Sequence, residues 1–79
     1  MDDGQILERI SALVEEEERL RERKESPLSS EELRRVEQIE VSLDQCWDLL
    51  RQRRARREFG DNPDTADVRD PDTVERYVQ

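Results

Sequence analysis

The sequence predicts an all-α protein, an antiparallel two-helix hairpin with an extended C-terminal arm that dimerises into a four-helix bundle. Three observations lead to this prediction. Apolar residues recur at helical spacing in two long segments, Pro27 separates these segments, and the residues after Gly60 lack a long apolar pattern. The chain is therefore predicted to divide into a helical hairpin over residues 1–60 and an acidic arm over residues 61–79.

The first segment, residues 2–25, is predicted to be a helix. Asp2 is its expected N-cap, because Gln5 stands three residues later and completes the pattern of a capping box. The large apolar residues of the segment follow one another at intervals of 4, 3 and 7 residues, which places them along one side of a helix: Ile6, Ile10, Leu13 and Leu20.

A loop is predicted at residues 26–28. Pro27 cannot donate a backbone hydrogen bond, and it disfavours helical geometry in the residue before it. Ser29 then has the features of a second N-cap, with Glu32 three residues later. This short connection favours antiparallel packing of the helices on either side of it.

The second helix is predicted to cover residues 29–59 and to end before Gly60, since glycine readily adopts the backbone conformation that terminates helices. Its predicted core and dimer-forming stripe is rich in large apolar residues: Leu33, Val36, Ile39, Leu43, Cys46, Trp47 and Leu50. We interpret Cys46 as a buried, unreactive thiol, because the acidic residues beside it oppose formation of a thiolate.

The arm, residues 61–79, is acidic and punctuated by prolines, which is typical of extended chain. Pro71 is well suited to open a short C-terminal helix. In such a helix Val74, Tyr77 and Val78 would lie on one side, so Tyr77 is a candidate binding residue that becomes ordered where the helix finds a surface.

Dimerisation is predicted because two helices cover only one side of each other. Several apolar residues would then stay in contact with water in a monomer: Leu7, Val14, Cys46 and Trp47. Burying a large apolar side chain is worth ~1.5–3 kcal/mol, and a chain this small needs additional stabilisation. A homodimer is therefore expected, with completion of the core by a different protein as the alternative.

The composition excludes several functional classes. The 79 residues include no His, one Cys and two Gly. Without His there is no Ser-His-Asp triad and no His-ligated metal, and two isolated glycines cannot form a glycine-rich phosphate loop. We therefore expect a protein that is not an enzyme and holds no metal or cofactor.

The location of the protein is predicted from its apolar and terminal segments. No apolar run approaches the ~20 residues that span a membrane, and the acidic N-terminus lacks the basic region of a signal peptide. These features predict a cytoplasmic protein with no membrane partner.

Five arginines within seven residues form a candidate binding surface, the arginine run: Arg51, Arg53, Arg54, Arg56 and Arg57. Guanidinium groups bind carboxylates and phosphates well. The net charge of -8 opposes approach to a polyanion, and no aromatic-rich surface accompanies the run. We therefore predict a non-enzymatic protein–protein interaction module in which the run binds acidic segments, including the chain's own tail. A nucleic-acid-associated accessory protein is the alternative.

A ladder of carboxylates, Glu40, Asp44 and Asp48, repeats at intervals of four residues on the second helix. Such residues lie on one side of a helix and repel one another. We expect them to pair with arginines from another helix. A divalent cation bound by oxygen ligands alone is the alternative, whereas a di-iron site would require His.

The stretch from Leu43 to Gly60 begins Leu-Asp-Gln-Cys-Trp-Asp-Leu-Leu-Arg-Gln-Arg-Arg-Ala. It resembles the signature of a small actinobacterial family of unknown function. The resemblance covers nearly the whole chain, including the apolar first helix and the acidic tail with its Val-Glu-Arg-Tyr-Val string. The family carries no activity, ligand or partner, so the resemblance implies no catalytic residues.

Overall fold

The computed structural model describes residues 1–22 and 27–78, with side chains described as far as Glu75. These residues contain no strand, which confirms the all-α class. They form three α-helices and one short 3-10 turn: α1 (Asp3–Arg21), α2 (Ser30–Glu58), the turn (Pro63–Thr65) and α3 (Pro71–Val78). Helix α1 ends at Arg21 instead of the predicted residue 25, and residues 23–26, with part of the predicted loop, lie outside the described residues.

Helix α1 begins with the predicted capping box. The Asp2 carboxylate accepts a hydrogen bond from the Gln5 backbone N–H at 2.8 Å, and the Gln5 side chain accepts one from the Asp2 N–H at 2.9 Å. Two backbone donors at the helix start, which have no partner within the helix, are thus satisfied. Asp3 in the first turn adds a negative charge where the helix dipole favours one.

Helix α2 begins with a second predicted capping box. The Ser29 hydroxyl accepts from the Glu32 N–H, and the Glu32 carboxylate accepts from the Ser29 N–H, each at 3.1 Å. With its 29 residues α2 is about 44 Å long. It therefore extends well past the 19 residues of α1 and offers surface to a further element.

Gly60 ends α2 as predicted. Its φ of 79° lies in the left-handed region, where a side chain would be strained. The Gly60 N–H donates to the Arg57 carbonyl at 3.2 Å, and the Asp61 N–H donates to the Arg56 carbonyl at 2.7 Å. These two bonds form a Schellman motif, which turns the chain back towards α2.

The core lies between α1 and α2, which pack against each other as an antiparallel pair. Its fully buried apolar cluster comes from both helices: Ile6, Ile10, Leu13, Ile39, Cys46 and Leu49. Partly buried apolar residues pack around it: Leu20, Leu43, Leu50 and Ala66. Val36 is also buried. The molecule is flat, measuring 52 × 25 × 15 Å, so the helix pair forms a single layer.

Two residues of the predicted stripe on α2 lie outside this core. Trp47 is 46% exposed and Leu33 is 50% exposed, whereas Leu49, which was not in the stripe, is buried. A stripe of seven apolar residues is wider than one neighbouring helix can cover. Residues at its margin therefore remain open.

The arm contains two short helical elements: the 3-10 turn, which was not predicted, and α3, which is the predicted C-terminal helix. Asn62 caps the 3-10 turn by accepting from the Asp64 N–H at 3.0 Å, and Asp70 caps the start of α3 by accepting from the Thr73 N–H at 2.9 Å. Helix α3, the predicted short C-terminal helix, contacts α2, and Val74 on it is completely buried. Val74 and Ala66 bury apolar surface and so stabilise the arm against the rest of the chain. The acidic composition of the arm did not indicate these contacts.

We expect Ser29→Ala to lower the free energy of unfolding by about 1 kcal/mol, because the first turn of α2 loses its side-chain cap. Chemical denaturation at fixed protein concentration would measure this change. Ser30→Ala, at the neighbouring exposed position that caps nothing, is the matched control. Equal effects of the two substitutions would contradict the role of the cap.

Candidate interaction surface

Arg53 joins three parts of the chain. Although charged, it is only 5% exposed, and its Nε donates to the Asp3 carboxylate at 2.6 Å. Its Nη1 donates to the Pro63 carbonyl at 3.2 Å and to the Asp64 carboxylate at 3.0 Å. A buried guanidinium requires such partners. The start of α1, the end of α2 and the 3-10 turn therefore meet at this side chain.

Arg57 strengthens the same junction. Its two terminal nitrogens donate to both oxygens of Asp3, at 3.2 and 2.8 Å. Hydrogen bonds from Arg57 and then from Arg53 lower the pKa of Asp3 below its usual value of 3.8, and the bond to Asp3 raises the pKa of Arg53. Asp3 is thus held as a carboxylate between two cations.

The arginine run is therefore not one free recognition surface. Besides the two arginines bound to Asp3, Arg54 pairs with Glu58 at 3.2 Å. Within the described residues, Arg51 and Arg56 have no ion-pair partner. The contact of Arg53 with Asp64 shows the run binding the chain's own acidic tail, as the sequence favoured. The side chain of Tyr77, the other predicted binding residue, lies outside the described residues.

A polar stripe on α2 holds the arm through hydrogen bonds; it consists of Gln45, Asp48 and Gln52. Asp48 is only 1% exposed and accepts two hydrogen bonds from Arg69, one of them from Nε at 2.9 Å. Gln45 donates to the Arg69 carbonyl at 3.1 Å, and Gln52 donates to the Asp67 carbonyl at 2.8 Å. Hydrogen bonds from Arg69 lower the pKa of Asp48, against the effect of burial.

Sequence reasoning missed this stripe. The three residues Gln45, Asp48 and Gln52 are spaced by three and four positions, so they lie along one side of α2. Polar residues with helical spacing beside an apolar stripe were a usable signal. It was hidden because Asp48 was counted only with the carboxylate ladder.

The carboxylate ladder separates into three environments. Glu40 pairs with Arg21 of α1 at 3.1 Å, as predicted, whereas the arginine that pairs with Asp48 comes from the arm and not from a helix. Asp44 lies beside Glu75 of α3, and their hydrogen bond raises the pKa of Glu75. No group of three or more potential metal ligands occurs within the described residues.

The two sides of the helix pair can be distinguished by ion pairs that cross it. Arg21 and Glu40 each follow a residue of the apolar stripe, and they meet on one side. Glu16 and Arg35 each precede a stripe position, and they meet on the other side, where Arg35 Nη2 donates to Glu16 at 2.7 Å. Because the helices are antiparallel, a step forward along either helix leads to the same side.

This rule places three large exposed apolar side chains together. Leu7 follows Ile6, Val14 follows Leu13, and Trp47 follows Cys46, so all three lie on the side of the Arg21–Glu40 pair. Leu7 is 47% exposed, close to the value for Trp47, and Val14 is also exposed. We call this side, formed by Leu7, Val14 and Trp47 with Leu43 and Leu50 between them, the open face.

The part of the arm around Val68 lies on the opposite side of the pair. Val68 of the arm lines a cavity of about 150 Å³ together with Arg9 and Gln45, each of which precedes a stripe position. Ala66 packs against the core cluster. This part of the arm therefore lies along one side of the helix pair, whereas α3 reaches Asp44, which follows Leu43 and borders the open face.

Comparison with known proteins places the chain in a family. A family described as "Protein of unknown function (DUF2630)" matches residues 2–79. The chain belongs to this family. It is also 49% identical over 78 residues to the uncharacterised proteins Rv0898c of Mycobacterium tuberculosis and Mb0922c of Mycobacterium bovis, covering 96% of this chain and 90% of each relative. No solved structure matches the chain.

These matches confirm the predicted resemblance to an actinobacterial family of unknown function. Neither the description of the DUF2630 family nor the names of the mycobacterial relatives state an activity or a ligand. The helices within the described residues include none with the length and apolar character needed to cross a bilayer.

We expect Asp48→Asn to lower the free energy of unfolding by about 1–2 kcal/mol at pH 7, because the buried carboxylate loses its charge-assisted bonds to Arg69. The folded-state pKa of Asp48 is depressed, so its contribution is complete above the usual pKa of 3.8 and is lost as the pH falls through the lower folded value. Denaturation of both proteins from pH 7 to pH 2 would measure this. Asp61→Asn, at an exposed carboxylate of the arm, is the control.

The assignment would be contradicted if the free energies of unfolding of Asp48→Asn and of the unsubstituted protein still differed by the same amount below pH 3. So would an equal loss in Asp61→Asn.

The opposite pH dependence is expected for Glu75→Gln. The pKa of Glu75 is raised by Asp44, so the ionised pair opposes docking of α3 at neutral pH and the protonated form favours it in acid. The substitution should therefore slow amide hydrogen exchange in α3 at pH 7 and have little effect below the usual pKa of 4.5. Faster exchange at pH 7 would show that the carboxyl pair does not oppose docking.

Proposed function

We propose that this protein is a non-enzymatic interaction module that assembles with a second copy of itself through the open face. The observation that carries the proposal is the grouping of Leu7, Val14 and Trp47 on one side of the helix pair, each exposed to solvent. Contiguous apolar side chains on a small protein mark sites of association. A tryptophan at the centre of such a patch is the type of residue that dominates interface energies.

A second copy is a fitting occupant for physical reasons. A two-fold contact uses the same patch on both chains, so each exposed apolar residue contributes twice. Complete burial of one such side chain is worth ~1.5–3 kcal/mol, and these residues are already about half buried. The resulting assembly would be the predicted four-helix bundle, with a core extended through the partly buried Leu43 and Leu50.

A cytoplasmic location is part of this proposal. The single cysteine, Cys46, is buried and unpaired, which suits a reducing compartment.

The alternative role in nucleic-acid association has weaker support. Phosphate binding requires guanidinium groups that are free to reach the backbone, yet Arg53 and Arg57 are bound to Asp3. Within the part of the chain that the structure describes, Arg51 and Arg56 have no ion-pair partner. Binding of duplex DNA at low salt that was lost in Arg51→Ala/Arg56→Ala would favour this alternative.

Self-association is tested by Trp47→Glu. We expect the unsubstituted protein to sediment as a dimer at high micromolar concentration and the variant as a monomer, because a carboxylate would be forced into the apolar interface. Phe59→Glu is a matched control, since Phe59 is more exposed than Trp47 and lies at the end of α2, outside the open face. It should leave the dimer intact.

A monomer at high micromolar concentration without any substitution would overturn the proposal. Equal loss of the dimer in both variants would mean that the open face is not the interface.

A further inference from the structure

We propose that the cavity of about 150 Å³ between α1, α2 and the arm binds a small carboxylic acid with a compact apolar body, about the size of benzoate, whose carboxylate pairs with Arg9. This site lies on the side of the helix pair where Val68 packs, and not on the open face. The proposal therefore does not depend on self-association and goes beyond it.

The first argument is the size of the cavity. Its walls come from three parts of the chain, since Ile6 belongs to α1, Leu49 to α2 and Val68 to the arm. An apolar cavity of about this volume accommodates a molecule the size of benzene. Pockets for drug-sized ligands are at least about twice as large. The cavity thus fits a single ring or a short branched chain, and it is too small for a nucleotide or a lipid.

The second argument is the apolar character of part of the wall. Ile6 is completely buried, and Cys46 and Leu49 belong to the buried core cluster. Within the residues that the structure describes, the Cys46 thiol has no hydrogen-bond partner, and such a thiol behaves as a small apolar group. An apolar ligand body gains free energy by leaving water against these side chains, whereas a charged group would lose its hydration there.

The third argument is an unpaired positive charge. Arg9 lines the cavity and has no ion-pair partner in the described part of the chain. Other arginines, by contrast, pair with carboxylates of the chain itself, among them Arg21, Arg35 and Arg53. A guanidinium binds a carboxylate through two parallel hydrogen bonds. Arg9 therefore favours a ligand with one negative charge.

Ser42 and Gln45 complete the polar part of the wall. They lie three residues apart, so they are on one side of α2. Gln45 is held by its bond to the Arg69 carbonyl, and the Ser42 hydroxyl is a further donor for a carboxylate. A hydrocarbon would leave these polar groups and Arg9 unused, and a phosphate is too strongly hydrated for the apolar wall. A carboxylate on an apolar body suits both.

Benzoate is the probe that tests this site. We expect it to bind the full chain with a Kd of about 1 mM, as is usual for a ligand of so few atoms. Binding should shift the NMR signals of the methyl groups of Ile6, Leu49 and Val68. Benzyl alcohol has the same ring without the charge. It should bind about fivefold more weakly, because it forms no ion pair.

Arg9→Gln should weaken benzoate binding by the same factor of about five. Arg9 is exposed, so the substitution should preserve the fold. Arg19→Gln is the matched control, because Arg19 is another exposed arginine of α1 and does not line the cavity. It should keep the affinity of the unsubstituted chain.

Cys46→Met is an independent test of the location. The longer and flexible side chain would fill the cavity, so the methyl shifts caused by benzoate should disappear. Circular dichroism would show that the helices are retained. If this core substitution unfolds the chain, the comparison of the Arg9 and Arg19 variants decides the proposal.

The contrary outcomes are distinct. Absence of methyl shifts at about 20 mM benzoate, well above the expected Kd, would overturn the proposal. Equal affinities for benzoate and benzyl alcohol, or equal effects of the Arg9 and Arg19 substitutions, would overturn the carboxylate as the ligand class. Shifts that persisted unchanged in folded Cys46→Met would place the bound benzoate outside the cavity and overturn the site.

Discussion

The buried guanidinium of Arg53 is the constraint on which the arrangement of this protein depends. A cation withdrawn from water must have anionic or carbonyl partners, and here they come from Asp3 and from the segment Pro63–Thr65. Satisfying one side chain therefore sets the register of α1 against α2 and also the return path of the arm. The same junction ties two of the five arginines of the run, Arg53 and Arg57, to the chain itself.

Because this junction directs the arm back along α2, the two sides of the helix pair have different surroundings. The polar stripe on α2 and the buried Val74 hold the arm against the pair, where Ala66 closes part of the core. On the other side, Trp47 and Leu7 stay exposed. A chain with few apolar residues thus uses them in two ways, some to close its own core and some to form the open face.

Local signals in the sequence predicted the helices well. Both capping boxes, at Asp2 and Ser29, and the glycine stop at Gly60 depend on short-range spacing that can be read directly from the chain. The apolar periodicity likewise identified which sides of α1 and α2 meet. It also predicted that Leu7, Val14 and Trp47 stay exposed in a single chain, as they do. It wrongly counted Cys46 with them, because the rotation of α2 against α1, which buries Cys46, cannot be read from spacing alone.

The arm and the candidate surface were harder to predict for the same reason. Acidic, proline-containing composition indicates extended chain, but the contacts of Arg69 with Asp48 and of Asp64 with Arg53 join residues far apart in sequence. No local pattern selects one carboxylate over another among 22. The arginine run was recognised as a place where acidic segments bind, yet only the fold shows that several of its partners are its own.

The position of the arm has a consequence for the size of any assembly. A flat hairpin with two exposed apolar sides could stack into a filament, since every added copy would expose another apolar side. Here part of the arm lies along one side of the pair and is held there by polar and charged groups of α2, so the two sides are not equivalent. Two copies joined through the open face, as we propose, would each use that face once, so growth would stop at a closed pair and would not continue as a filament.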